Sequence, residues 1–180
     1  MTARCFVSID LPKSVKEYLG SLALHDIYWI KWMKPANFHI TLNFLGELGP
    51  ERVAETKEIL ASISSLHKPF SIRLDRIETE LDMLWLMPAR PTGGPEKNDA
   101  LEALLDDLKS QLRSARLGKS ERRSYVPHIL LGRSKTGRHM RPVIENFEPQ
   151  EFVADRINLY ESELTPGSAT HRLIESFPLG

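Results

Sequence analysis

The alternation in "NFHITLNFLGEL" (37–48) constrains this chain more than any other stretch. A period of two puts His39, Thr41 and Asn43 on one side of a strand and Ile40, Leu42 and Phe44 on the other. The second side is a core face. An imidazole, a hydroxyl and an amide on the first side call for a polar neighbour. A second stretch, "SYVPHILLGRSK" (124–135), has the same character, and the same period places His128, Leu130 and Gly132 on one face. The two histidines lie about half a chain length apart, and a degenerate echo between "FSIRLDRI" and "FVADRINL" accompanies them. This spacing fits a duplicated lobe.

The surrounding pattern is mixed. "RCFVSID" reads as a strand, "SVKEYLGSLAL" as a helix entered at Pro12, and "IYWIKWM" as an extended segment broken by Pro35. Residues 51–65 form an amphipathic helix with acidic residues in its first turn. Strands are expected at 70–78 and 81–88, then a Pro- and Gly-rich loop at 88–95 and a helix at 96–117. "FVADRINLYESEL" and "HRLIESFPL" read as a closing pair of strands joined through Pro166-Gly167. Hairpins between helices, without a regular βαβ series, favour α+β. With no low-complexity linker, residues 1–180 are expected to form a single compact domain of two lobes.

Composition narrows the function. Lys+Arg and Asp+Glu each total 24, so the chain carries no bulk charge with which to coat nucleic acid. Basic residues do gather between Leu117 and Arg141, which suits an anion that is small or recognised at one end. No apolar run approaches a membrane span, and the first residues enter a strand pattern, unlike a signal peptide. Cys5 is the single cysteine, which suits a reducing compartment, and a cytoplasmic location is expected. No membrane or protein partner is implied, and the chain is expected to act as a monomer.

Two histidine strands facing each other across a cleft suit acid–base catalysis with two protons in motion. Hydrolysis of a phosphodiester has that need, because the attacking and leaving oxygens lie on opposite sides of phosphorus. Hydroxyls, amides or cations would then stabilise the equatorial oxygens. A metal site is not expected, because neither strand offers a second His, Cys, Asp or Glu at its inward positions. A cysteine or serine nucleophile is not expected either, with Cys5 in a buried-looking strand and no G-x-S-x-G elbow. His25, His67, His139 and His171 are read as structural or surface residues, and Trp32 and Trp85 as lobe packing.

The segments "RCFVSIDLP", "WMKPANFHITLNFLGEL", "LWLMP", "SYVPHILLGRSK", "LYESELTPG" and "ESFPLG" resemble, in order, the 2H phosphoesterase family. The resemblance is to its RNA 2′,3′-cyclic phosphodiesterase branch, also called 2′-5′ RNA ligases, and covers nearly the whole chain. It implies a bilobal fold in which two pseudo-symmetric antiparallel sheets flank a cleft, with helices outside. It implies opening of a terminal 2′,3′-cyclic phosphate to a 2′-phosphate without cofactor or metal, on RNA ends or small cyclic nucleotides. By the same resemblance His39 is the general acid, His128 the general base, and Thr41 a donor to a phosphate oxygen. The second family motif should read H-x-[ST], yet Leu130 stands where the hydroxyl belongs. Arg133 is expected to compensate. A flat strand would point it away from His128, and a bulge at Gly132 would re-aim it. Asn43 shares the His39 face, as a substrate contact or equally as a strand-end hydrogen bond, and Tyr125 is a candidate to stack a base, as is Phe6 less strongly. Arg122, Arg123, Lys135 and Arg138 are candidates to guide an RNA backbone. The rival expectation is a module that binds nucleotide or RNA ends and turns over poorly.

Overall fold

The computed structural model describes residues 2–23, 27–89, 99–118, 126–141, 144, 146–165 and 168–180. Its first strand, β1 (Ala3–Asp10), leads through Leu11-Pro12 into helix α1 (Lys13–Ser21). The short β2 (Ile30–Trp32) is followed by a single 3-10 turn at Pro35–Asn37, which delivers the chain into β3 (His39–Leu48). Helix α2 (Pro50–Ser64) starts as its residues predict, with Pro50 in the first turn and Glu51 beside the positive end of the dipole. Strands β4 (Phe70–Glu80) and β5 (Met83–Pro88) form a hairpin. Helix α3 (Asp99–Ser114) buries Leu101, Leu104, Leu105, Leu108 and Leu112, the spacing of one helical face. Strand β6 (Ile129–Ser134) then carries the chain to β7 (Gln150–Ala154), β8 (Arg156–Thr165) and β9 (Ser168–Pro178).

These strands make two antiparallel sheets in an α+β fold. One has the order β3-β1-β8-β9 and the other β2-β6-β5-β4-β7. A buried cluster including Ile40, Leu42, Leu60, Leu74, Leu84, Leu104 and Ile129 joins sheets and helices. Helix α2 touches α3, β3, β8 and β9. The expected closing strand at "FVADRINLYESEL" is in fact two strands. Phe152 lies in β7, hydrogen-bonded to β4, and the chain then changes sheet at Asp155 so that β8 pairs with β1 and β9. Its echo, "FSIRLDRI", lies wholly within β4 of the second sheet, so the two segments are not structurally equivalent. The Pro166-Gly167 connection lies outside the described residues. Among the described residues no helix is long and apolar enough to cross a membrane.

The alternation expected in the histidine strands breaks at equivalent places. Along β3, Thr41 pairs with Ser8 and Asn43 with the adjacent Val7, so Leu42 is an extra residue. Along β6, Leu130 pairs with Trp85 and Gly132 with the adjacent Leu84, so Leu131 is extra. Each bulge comes three residues after the histidine, and both inserted leucines are buried. Beyond the bulge the faces exchange: Phe44 and Arg133, each five residues past its histidine, return to the histidine side. Gly132, expected on the His128 face, lies against β2 instead. A Cβ there would meet Ile30 Cγ2 at 2.8 Å and the Lys31 carbonyl oxygen at 3.3 Å. Gly132→Ala is expected to lower stability by about 1–3 kcal/mol through overpacking. Urea denaturation tests this, and an unchanged midpoint would contradict the close packing of β6 on β2.

Candidate active site

His39 opens β3 directly after the turn that Pro35 begins. Its Nδ1 lies 2.8 Å from the Asn37 carbonyl oxygen, and its Nε2 lies 3.1 Å from Thr41 Oγ1. The Asn37 side chain donates in turn to the Ala169 carbonyl of β9 at 3.0 Å, fixing the turn on the neighbouring part of the sheet. His128 repeats this geometry at the mouth of β6, with Nδ1 2.8 Å from the Val126 carbonyl oxygen. A carbonyl accepts only, so each neutral ring carries its proton on Nδ1 and keeps Nε2 as its basic nitrogen. The backbone two residues upstream sets the tautomer in both sheets.

The two rings border one cleft. The first sheet contributes Phe6, His39, Thr41, Phe44 and His171 to its walls, and the second contributes Met83, His128, Leu130 and Arg133. Each imidazole rests on an aromatic ring. His128 stacks on Trp85, with centroids 3.9 Å apart and planes 16° apart, and His39 leans on Phe6 at 5.0 Å. An indole face behind His128 favours the imidazolium that forms when this ring takes a proton. Phe6 also stacks on Tyr160, whose hydroxyl donates to Asp10 Oδ2 at 2.6 Å.

Burial, with the His171 imidazole next in importance, pushes the His39 pKa down to about 4. The Asn37 carbonyl and the Asp10 carboxylate act in the opposite sense, and Lys16 reinforces the lowering. Burial also lowers the pKa of His128; the Val126 carbonyl opposes this, and Arg133 adds to it. Both rings are therefore neutral in the free protein near pH 7, and an entering anion would reverse the balance. Burial pushes the Cys5 thiol up to about 11, helped by Glu161 and Glu47, so the cysteine on the cleft floor is no nucleophile at neutral pH.

Thr41 and Arg133 come together with the two histidines, and Leu130 occupies the place of the second hydroxyl. Asn43 does not join them. The bulge at Leu42 turns it off the histidine face, and its Oδ1 is buried 2.9 Å from where a Cβ on Gly118 would sit. The expectation that Asn43 lies on the His39 face is thus corrected. Tyr125, Arg122, Arg123 and His25 lie outside the described residues. Two residues read as structural border the histidines. His171 lines the cleft with its ring 5.3 Å from that of His39, and Trp85 backs His128. Sequence offered a faint signal for Trp85, which sits in the apolar strand before the second histidine, and none for His171.

Residues 9–79 match the family model described as LigT like Phosphoesterase. An RNA 2′,3′-cyclic phosphodiesterase of Methanocaldococcus jannaschii is 29% identical, over 97% of this chain and 99% of its own length. The Bacillus subtilis protein of the same name is also 29% identical, over 88% and 87%. Among solved structures, Escherichia coli LigT complexed with 3′-AMP superposes with a TM-score of 0.78 at 22% identity, covering 99% of each chain. At that identity the likeness shows the fold.

The folded-state pKa of His39 lies below its ordinary value of 6.5. Its neutral burial therefore contributes fully to stability above pH 6.5 and is lost as pH falls from there towards 4. The loss is on the order of 3 kcal/mol. Urea midpoints measured from pH 7.5 to 4 should fall steeply in the wild type and less in His39→Gln, whereas parallel curves would contradict the buried neutral imidazole.

Proposed function

We propose that the chain is a LigT-like phosphoesterase (2H phosphoesterase) and, within that family, an RNA 2′,3′-cyclic phosphodiesterase. It opens a terminal 2′,3′-cyclic phosphate to a 2′-phosphomonoester. The observation that carries this reading is the pair of imidazoles, one per sheet, each held by Nδ1 on the carbonyl two residues earlier and bordering one cleft. Curated relatives bearing that activity in their names, over nearly the whole chain, support the substrate class.

His128 Nε2 takes a proton from the attacking water as the new P–O bond forms. His39, protonated at Nε2 once the phosphate anion is bound, gives its proton to the 3′-oxygen as the P–O3′ bond breaks. Charge accumulating on the equatorial oxygens meets Thr41 Oγ1 from one sheet and the Arg133 guanidinium from the other. This pairing answers the missing hydroxyl at Leu130, because Arg133 supplies charge where the first sheet supplies a neutral donor. If the 5′-hydroxyl of a second RNA replaces water, the same proton movements give a 2′-5′ diester, so reversible ligation falls within the same chemistry. The reaction uses protein groups throughout, without a metal ion.

Incubating the protein with an RNA oligomer ending in 2′,3′-cyclic phosphate, in EDTA, should yield the 2′-phosphate. His39→Ala and His128→Ala should each reduce turnover by about 10²–10⁴-fold. Binding without product would favour the end-binding rival that Leu130 suggests, and loss of activity in EDTA would overturn the metal-free reading. Arg133→Ala should lower kcat by about 10²–10³-fold. Leu130→Thr should raise it; an Arg133 variant with unchanged kcat would remove that residue from the transition state.

A further inference from the structure

The cleft holds a third imidazole that the acid–base scheme does not use. His171, on β9, meets the His39 ring edge-on at 5.3 Å and 89°, and both rings pack on Phe6, His171 at 4.9 Å and 74°. Its Nδ1 is buried without a hydrogen-bond partner among the described residues. Asn37 fastens the two histidines together, since its carbonyl accepts from His39 and its amide donates to Ala169, two residues before His171. Two imidazolium ions at this separation, on an aromatic wall, repel each other.

We propose that His171 is a positioning residue that acts through His39: the two rings form a coupled pair holding at most one proton until an anion enters the cleft. This rests on the catalytic reading of His39 but not on the identity of the RNA substrate. The groups facing the pair are few. Asp10 at the end of β1 favours a proton on either ring, and Lys16 of α1, 3.7 Å from Asp10, offsets it. Tyr160 of β8 also engages Asp10 through its hydroxyl. Among the described residues, Arg4 of β1 and, across the cleft, Arg133 of β6 and His128 just before it also line the cleft. Burial and the neighbouring His171 both lower the His39 pKa, and burial lowers that of His171. A bound phosphate would satisfy two positive rings at once and recruit protons from solvent, preparing His39 to act as an acid only when substrate is present.

The test is a titration of the histidine ring signals by NMR, without substrate, in the wild type and in His171→Phe, which keeps an aromatic edge against Phe6. In the wild type, His39 and His171 should titrate as a coupled pair with distorted, mutually dependent curves. In His171→Phe the His39 midpoint should rise by about 0.5–1 pH unit. Adding inorganic phosphate to the wild type should raise both midpoints. Independent single-site curves in the wild type would overturn the proposal even if the variant failed to fold, as would an unmoved His39 midpoint in a folded variant. On a 2′,3′-cyclic phosphate substrate the high-pH limb of kcat/KM should move up with the His39 midpoint. Absence of turnover would count against the activity alone, since the ring titrations decide the pair without it.

Discussion

The leucine inserted three residues after each catalytic-strand histidine is the constraint on which the cleft depends. A regular strand would present residues i, i+2 and i+4 together, giving His39-Thr41-Asn43 and His128-Leu130-Gly132. Inserting Leu42 and Leu131 changes the pattern to i, i+2 and i+5, so Phe44 and Arg133 take the third place. Neither bulge is a defect of packing, since both leucines are anchored in the core. Gly132 fits the second bulge against β2, where any side chain would collide with Ile30. Without that bulge the Arg133 guanidinium would leave the cleft, and the lobe lacking a hydroxyl would present the phosphate with no charge at that position.

The second organising fact is electrostatic. Buried imidazoles lose their protons, and the Asn37 and Val126 carbonyls decide which nitrogen keeps the remaining one. Aromatic rings back both histidines, Trp85 stacked on one and Phe6 tilted against the other. The two halves then diverge in what they offer an anion. One provides a hydroxyl and a third histidine beside its imidazole; the other provides an arginine and an indole. Imidazoles that stay neutral until a phosphate binds keep the cost of two further buried charges out of the resting protein.

Much of this was legible in the sequence, for a physical reason. His39 and His128 stood out because each interrupts an apolar strand with a polar face, and α2 announced itself through its amphipathic pattern and acidic first turn. Arg133 was legible only conditionally, through the glycine beside it. Asn43 was misplaced, and Phe44 with it, because a bulge adds one residue to one strand of a pair and periodicity within a single strand cannot register its partner. The change of sheet at Asp155 was hidden for the same reason, since β7 and β8 run almost without interruption in sequence and differ in their neighbours. His171 carried no local signal: it becomes part of the site through the pairing of β9 with β8, which brings distant segments together.

The central claim is that two histidines from two sheets act on one phosphorus centre. A crystal structure with bound inorganic phosphate tests it most directly. The account predicts one phosphate within hydrogen-bond distance of Nε2 of both His39 and His128, with Thr41 Oγ1 and the Arg133 guanidinium on its remaining oxygens. A phosphate touching a single histidine, or one bound outside this cleft while the cleft stays open, would contradict it.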